Sequence, residues 1–251
     1  MENVIENSTI TSALFTDFYE LTMANGYWKQ NMNHTVVFDM FFRKNPFEGG
    51  FSVLAGAETF LDVLTNFRFS DEDIEYLKSL KMFEDGFLEY LRSFKFSGDV
   101  YMMDEGTVIF PQEPIVRIHA PLIEAQIIEG MVLNHINFQS LIATKTARIW
   151  LSSKKAPIME FGLRRAQGPD GAMSATRASF IGGAAGTSNT LAGKLFGIPV
   201  MGTMAHSWIM SHPTELDAFK AYAEIYPENA VFLIDTYDTL KSGIKNAITV
   251  G

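Results

Sequence analysis

The sequence predicts an α/β fold in two parts, an N-terminal α+β domain over 1–121 and a βα-alternating domain over 122–251. Three observations carry this. Beyond Pro121, short apolar runs alternate regularly with helix-like segments, the pattern of a parallel sheet or barrel. Before Pro121 the elements are short and of mixed type. The chain has 251 residues, 47% of them hydrophobic, enough for a substantial core in one large domain or two smaller ones.

In the first part, Thr16-Asp17-Phe18-Tyr19-Glu20 reads as a helix start with Thr16 or Asp17 as cap, running to Tyr27. Thr35 to Phe42 is β-rich and ends at Arg43-Lys44-Asn45-Pro46, followed by the loop Phe47-Glu48-Gly49-Gly50. Ser70-Asp71-Glu72-Asp73 caps a helix carrying Ile74, Leu77 and Leu80, and Phe87, Leu88 and Leu91 mark another. Val100 to Met103 and Thr107 to Phe110 flank Asp104-Glu105-Gly106 as an expected hairpin.

The second part opens with an expected long apolar helix, Leu122 to Leu151. The expected strands are Pro157–Gly162, Gly183–Thr187, Ile198–Thr203 and Ala230–Asp235. The helices between and after them are Met173–Ile181, Thr190–Phe196, Thr214–Tyr226 and Leu240–Ala247, with Gly197 ending one and Pro213 opening another. Four strands do not close an eight-stranded barrel, so a barrel reading makes this the first half of one.

Composition narrows the function classes. With no cysteine, disulfides, thiolate nucleophiles and Cys-based zinc sites are excluded, which suits a reducing cytoplasm. No apolar run reaches the roughly 18–20 residues of a spanning helix, and Met1 to Phe18 lacks the pattern of a secretory signal, so no membrane association is expected. A net charge of −9 argues against a broad nucleic-acid surface. Small anions remain candidates, because Lys145, Arg148, Lys154, Lys155, Arg164 and Arg165 cluster along the chain; the alternative is a solvated basic helix face.

His206, in Gly202-Thr203-Met204-Ala205-His206-Ser207, follows the apolar run Ile198 to Met201, placing an imidazole where a strand opens into a loop. It would serve as base, metal ligand or phosphate acceptor, or be structural. No histidine pair has the i, i+4 spacing of a helical zinc site, so no His-based metal centre is expected. Glu160-Phe161-Gly162-Leu163-Arg164-Arg165 sets two arginines beside an aromatic at a strand end, which suggests an anionic aromatic substrate. Thr187, Ser188 and Asn189 are suitable helix caps after the small-residue run Gly182 to Gly186. Asp235 ends an apolar strand, where a carboxylate would hold a Mg²⁺-bound phosphate ester or ribose hydroxyls; Asp238 suits a helix cap.

These segments together resemble the nicotinate phosphoribosyltransferase family. The resemblance rests on Thr16 to Met23 with Gly26-Tyr27-Trp28, on Phe41-Phe42-Arg43-Lys44-Asn45-Pro46-Phe47, on Glu160 to Gly171, and on Gly202 to Ser207, in order across essentially the whole chain. It implies an N-terminal domain beside an irregular (β/α) barrel of the type II phosphoribosyltransferase kind. It also implies transfer of phosphoribose from 5-phosphoribosyl 1-diphosphate to nicotinate in NAD salvage, coupled to ATP hydrolysis, with Mg²⁺ and a homodimer. By the same resemblance His206 becomes a phosphohistidine and Tyr19 stacks on the pyridine ring, reaching in from the partner subunit. Phe161 forms the opposite face, Arg164 binds the carboxylate or a phosphate, and Thr187, Ser188 and Thr203 make polar contacts. Lys145, Arg148 and Asp235 serve the phosphoribosyl group, Asp235 through ribose or Mg²⁺. Family members continue past Gly251 into further phosphate loops, so this chain is expected to carry an N-terminal portion and to show little transfer alone. A non-catalytic fragment and a nicotinamide or quinolinate relative are the alternatives.

Overall fold

The computed structural model describes residues 12–251, and contact density divides it at Ala185 and Gly186. Most of the stretch read for a secretory signal lies outside the described residues. The expected division near Pro121 falls inside the first unit, where Pro121 ends a strand.

In the first unit, Asp17 caps α1 (Phe18–Lys29), and its N–H donates to the Glu20 carboxylate at 3.2 Å. Glu20 in the first turn and Lys29 in the last suit the helix dipole. β1 (Thr35–Met40) is shorter than expected and pairs antiparallel with β5 (Val116–Pro121), whose other edge takes β3 (Asp99–Met102). Along β5, buried Val116, Ile118 and Ala120 alternate with exposed Arg117 and His119, so one face enters the core. On the other, Arg117 grips Asp39, its cross-strand partner, with two bonds of 2.7 and 2.9 Å. Ser70 caps α3 (Asp71–Ser79) in a capping box, its hydroxyl accepting from Asp73 N–H at 3.1 Å. α2 (Ala57–Asn66), α3 and α4 (Asp85–Arg92) deliver Phe60, Ile74, Leu77, Phe87 and Leu91 to the core.

The expected hairpin is not formed. The turn is real, with Gly106 at φ 84°, but its two arms join different sheets: β3 pairs with β5, and β4 (Val108–Ile109) pairs with β2 (Ser52–Val53). Long-range capture at the turn accompanies this split. The Glu105 carboxylate accepts from Gly56 N–H at 2.6 Å and from Arg177 at 2.6 and 2.9 Å.

The expected long helix is two, α5 (Leu122–Ile127) and α6 (Glu129–Ser152), broken at Ile128. α6 meets the chain at 53–56 through hydroxyls. Thr144 accepts from Val53 N–H at 2.8 Å, and Ser140 both accepts from and donates to Ala55 at 3.1 Å. Gly56, at φ 95°, lies so close to α6 that a Cβ would overlap the His135 carbonyl oxygen. α6 also packs on α7 (Gly168–Ile181), where Gly182 lies against the Ala143 carbonyl and Ala143 and Ala178 are fully buried in one cluster with Val53 and Ala55. Between them runs β6 (Met159–Glu160), much shorter than the strand expected over 157–162.

In the second unit, β7 (Gly186–Thr187) forms a parallel bridge to Val200, with Thr187 N–H on Pro199 O at 3.0 Å and Met201 N–H on Thr187 O at 2.9 Å. The strand expected over 198–203 is thus one bridge. α8 (Thr190–Phe196) is capped by Asn189 and ended by Gly197 at φ 68°, as its sequence signals require. His206 opens a short helix, α9 (His206–Met210), where a loop was expected. Thr214 caps α10 (Glu215–Ile225). The expected strand 230–235 has no ladder among the described residues; packing holds it, with Phe232 stacked on Phe219 at 4.9 Å. A π-helical turn, 239–243, leads into α11 (Ile244–Val250) in place of the single helix expected over 240–247.

Gly56 combines a left-handed backbone with a close approach to α6. Gly56→Ala is expected to lower the unfolding free energy by about 3 kcal/mol, measured by urea titration; an unchanged midpoint would refute the role of this contact.

Candidate functional site

The candidate residues of the first unit occupy three places. Tyr19 stands on the first turn of α1, about half exposed at 48%. Its hydroxyl lies 3.4 Å from Glu20 Oε1 and 3.5 Å from Glu129 Oε1. Burial, then the Glu129, Glu20 and Asp17 carboxylates, push the phenol up to about 12, so it is a protonated donor at neutral pH. Glu20 itself is fully buried, held by the Thr16 hydroxyl, by Asp17 N–H, and by a hydrogen bond from the Gly130 backbone. Burial raises its carboxyl to about 7 against the opposing pull of those backbone donors. Glu129 in turn accepts from Gln126 at 2.9 Å.

Phe161 and Arg164 project from the segment that links β6 to α7. Both are exposed, Phe161 at 39%, and Arg164 lies on the 3-10 turn Leu163–Arg165. Glu160, at the end of β6, turns its carboxylate back to accept from Gly162 N–H and, at 2.9 Å, from the Thr176 hydroxyl of α7.

Lys145 and Arg148 stand close together on α6, over the Phe47 ring at 5.4 and 6.0 Å, and Arg148 Nη1 donates to Phe47 O at 2.7 Å. The basic cluster read from the sequence is therefore divided, with Lys155 instead lying over Trp150 at 5.3 Å.

In the second unit, Thr187 is buried and its hydroxyl accepts from Asn189 N–H at 2.9 Å, while Ser188 is half-buried. The Thr203 hydroxyl donates to Met204 O at 3.0 Å. The exposed His206 ring is flanked on both nitrogens: Nδ1 lies 3.1 Å from Thr236 Oγ1, and Nε2 lies 4.0 Å from Asp235 Oδ1. Asp238 is the capping aspartate, accepting from the N–H groups of Leu240 at 3.1 Å and Lys241 at 2.8 Å, which leaves Asp235 to the imidazole. Among the described residues no group of three His, Cys, Asp or Glu side chains is arranged to hold a metal ion. None of their helices is long and apolar enough to cross a membrane.

Several residues here escaped the sequence reading. Thr236 directly follows Asp235, and Glu160 heads the Phe161–Arg164 run, so both were adjacent to the signal. Glu20 had the capping-box spacing from Asp17. Thr176 had no local signal, because α7 folding brings it to Glu160.

The nicotinate phosphoribosyltransferase N-terminal domain family matches residues 14–137, and the nicotinate phosphoribosyltransferase family matches residues 156–244. The nicotinate phosphoribosyltransferase pncB2 of Mycobacterium tuberculosis is 48% identical over 94% of this chain and 50% of its own length. That of Bacillus subtilis is 48% identical over 95% and 49%. The chain thus spans about half the length of the curated relatives it matches. Among solved structures, human nicotinic acid phosphoribosyltransferase superposes with a TM-score of 0.84 at 33% identity, over 94% of this chain and 57% of that one. The nicotinate-nucleotide pyrophosphorylase of Pyrococcus furiosus gives 0.78 at 26%, over 99% and 56%. The α/β class and the partial barrel expected from the sequence agree with these matches.

Glu20 gives the Tyr19 region a pH dependence. Its folded value lies above the ordinary 4.5, so its contribution to stability is full below about pH 4.5 and is lost as pH rises through about 7. Between pH 5 and pH 8, wild type is expected to lose on the order of 3 kcal/mol relative to Glu20→Gln. Paired urea titrations measure this, and a difference that does not vary with pH would contradict it.

Proposed function

The chain belongs to the nicotinate phosphoribosyltransferase family, and on that premise we propose that it forms the N-terminal portion of an enzyme that joins nicotinate to 5-phosphoribosyl 1-diphosphate in NAD salvage, coupled to ATP through phosphorylation of His206, with little transfer by this portion alone. The observation that carries this reading is the imidazole flanked by Thr236 and Asp235. A carboxylate only accepts, so Asp235 opposite Nε2 favours the tautomer with its proton there. The lone pair then lies on Nδ1, where the Thr236 hydroxyl donates to it and holds the ring plane.

In the phosphorylation step Nδ1 attacks the γ-phosphorus of ATP. The N–P bond forms as the bond to the bridging oxygen breaks, and ADP departs with that electron pair. The product ring is cationic at Nε2–H, facing Asp235, and hydrolysis of the N–P bond returns phosphate and the neutral ring. In the transfer step, diphosphate leaves the anomeric carbon while the pyridine nitrogen attacks. Mg²⁺ carried on the diphosphate would neutralise the leaving group's charge, and the exposed Asp235 would be the carboxylate offered to it by this part of the chain.

For the acceptor, the flat electron-poor ring suits stacking on Tyr19 and Phe161, and the Arg164 fork suits its carboxylate. Within the second unit, Ser188 and Thr203 offer polar groups, with buried Thr187 fixing the turn through Asn189. Lys145 and Arg148 serve substrate phosphate from their position over Phe47. The exposed position of Tyr19 suits a homodimer in which one copy lends this ring to the other, and we propose a cytoplasmic setting, which the lack of cysteine suits.

Incubation with γ-labelled ATP is expected to leave acid-labile, base-stable label on the chain. Label is absent in His206→Ala and falls roughly tenfold in Asp235→Asn. Undiminished label in His206→Ala would refute the assignment.

A further inference from the structure

We infer that Glu160 is a positioning residue that sets Phe161 and Arg164 in register for an aromatic carboxylate, an inference that rests on the nicotinate reading above. Its carboxylate spans two elements, accepting from Gly162 N–H on its own segment and from the Thr176 hydroxyl on α7 at 2.9 Å. Gly162 is held at both ends, because its carbonyl accepts from Arg165 N–H at 2.9 Å and so begins the turn that carries Arg164. Phe161 and Arg164 therefore flank one immobilised peptide.

The glycine itself supports this. Gly162 has φ −85°, a backbone open to any residue, yet a Cβ there would stand 2.8 Å from Glu160 Oε1. A side chain there would push this flexible carboxylate aside, so glycine leaves the path of its return open. The anchor is rigid as well. Next to Thr176, Arg177 is clamped by Glu105 at 2.6 and 2.9 Å and by Glu58 at 2.7 Å, and Gly182 at the end of α7 lies against α6. An exposed segment carrying two ligand contacts gains precision from such a second layer of bonds.

The test uses the full chain with Glu160→Ala and Glu160→Gln, read by amide hydrogen exchange and by equilibrium dialysis of radiolabelled nicotinate. In Glu160→Ala, exchange across 161–167 is expected to accelerate about tenfold with α7 unchanged, and nicotinate Kd to rise about tenfold. Glu160→Gln is expected to stay near wild type in both, since the amide oxygen accepts from Gly162 N–H and its NH₂ donates to Thr176. Unchanged exchange in Glu160→Ala overturns the inference, as does a glutamine variant as impaired as alanine. Wild type that fails to bind nicotinate overturns the substrate reading; faster exchange in Glu160→Ala would still support the pin.

Discussion

The hydroxyls of Ser140 and Thr144 do for residues 53–56 what a neighbouring strand does in a sheet. One face of a helix satisfies the backbone of an extended segment, and the first unit is organised around that seam. A buried N–H without a partner is costly, so Val53 and Ala55 can run beneath α6 only because these side chains meet them at 2.8 and 3.1 Å. Gly56 then passes against the His135 carbonyl and donates to Glu105, the residue that also clamps Arg177. Burial alone would raise the Glu105 carboxyl. The Arg177 guanidinium, with the Gly56 and Glu58 amides, holds it below the usual carboxylate range instead.

That seam reaches the segment carrying Phe161 and Arg164 through α7. The close approach of α6 and α7 at Ala143, Ala178 and Gly182 fixes the helix that carries Thr176, and Thr176 fixes Glu160. Packing, a partly buried ion pair and one carboxylate thus connect the N-terminal core to two exposed side chains, Phe161 and Arg164. The arrangement is a rigid scaffold presenting a short, solvent-facing segment, the usual division of labour between elements and loops. In the second unit the chemistry is local: Asp235 and Thr236, adjacent in sequence, address the two nitrogens of one imidazole.

What was legible in the sequence was mostly what local chemistry decides. Asp17, Ser70, Asn189, Thr214 and Gly197 mark helix ends by capping rules that need no tertiary partner. His206 and Asp235 were singled out at the ends of apolar runs, and the structure places their side chains 4.0 Å apart. What was not legible depends on remote partners. The turn at Gly106 was read correctly, yet its arms go to different sheets. The run 230–235 has strand composition but is held by Phe219 and its neighbours without a ladder. The break at Ile128 has no proline or glycine at the residue itself to announce it. Glu160 and Glu20 carry chemistry through bonds to groups that only folding assembles around them.

As proposed, Arg164 and the aromatic faces select a ring bearing a carboxylate. Calorimetric titration of the chain with nicotinate and with nicotinamide tests it most directly, repeated with Arg164→Met. Nicotinate is expected to bind at least about tenfold tighter than its neutral amide, with the preference lost in the variant. Equal affinity for the two ligands in the wild-type chain would contradict it.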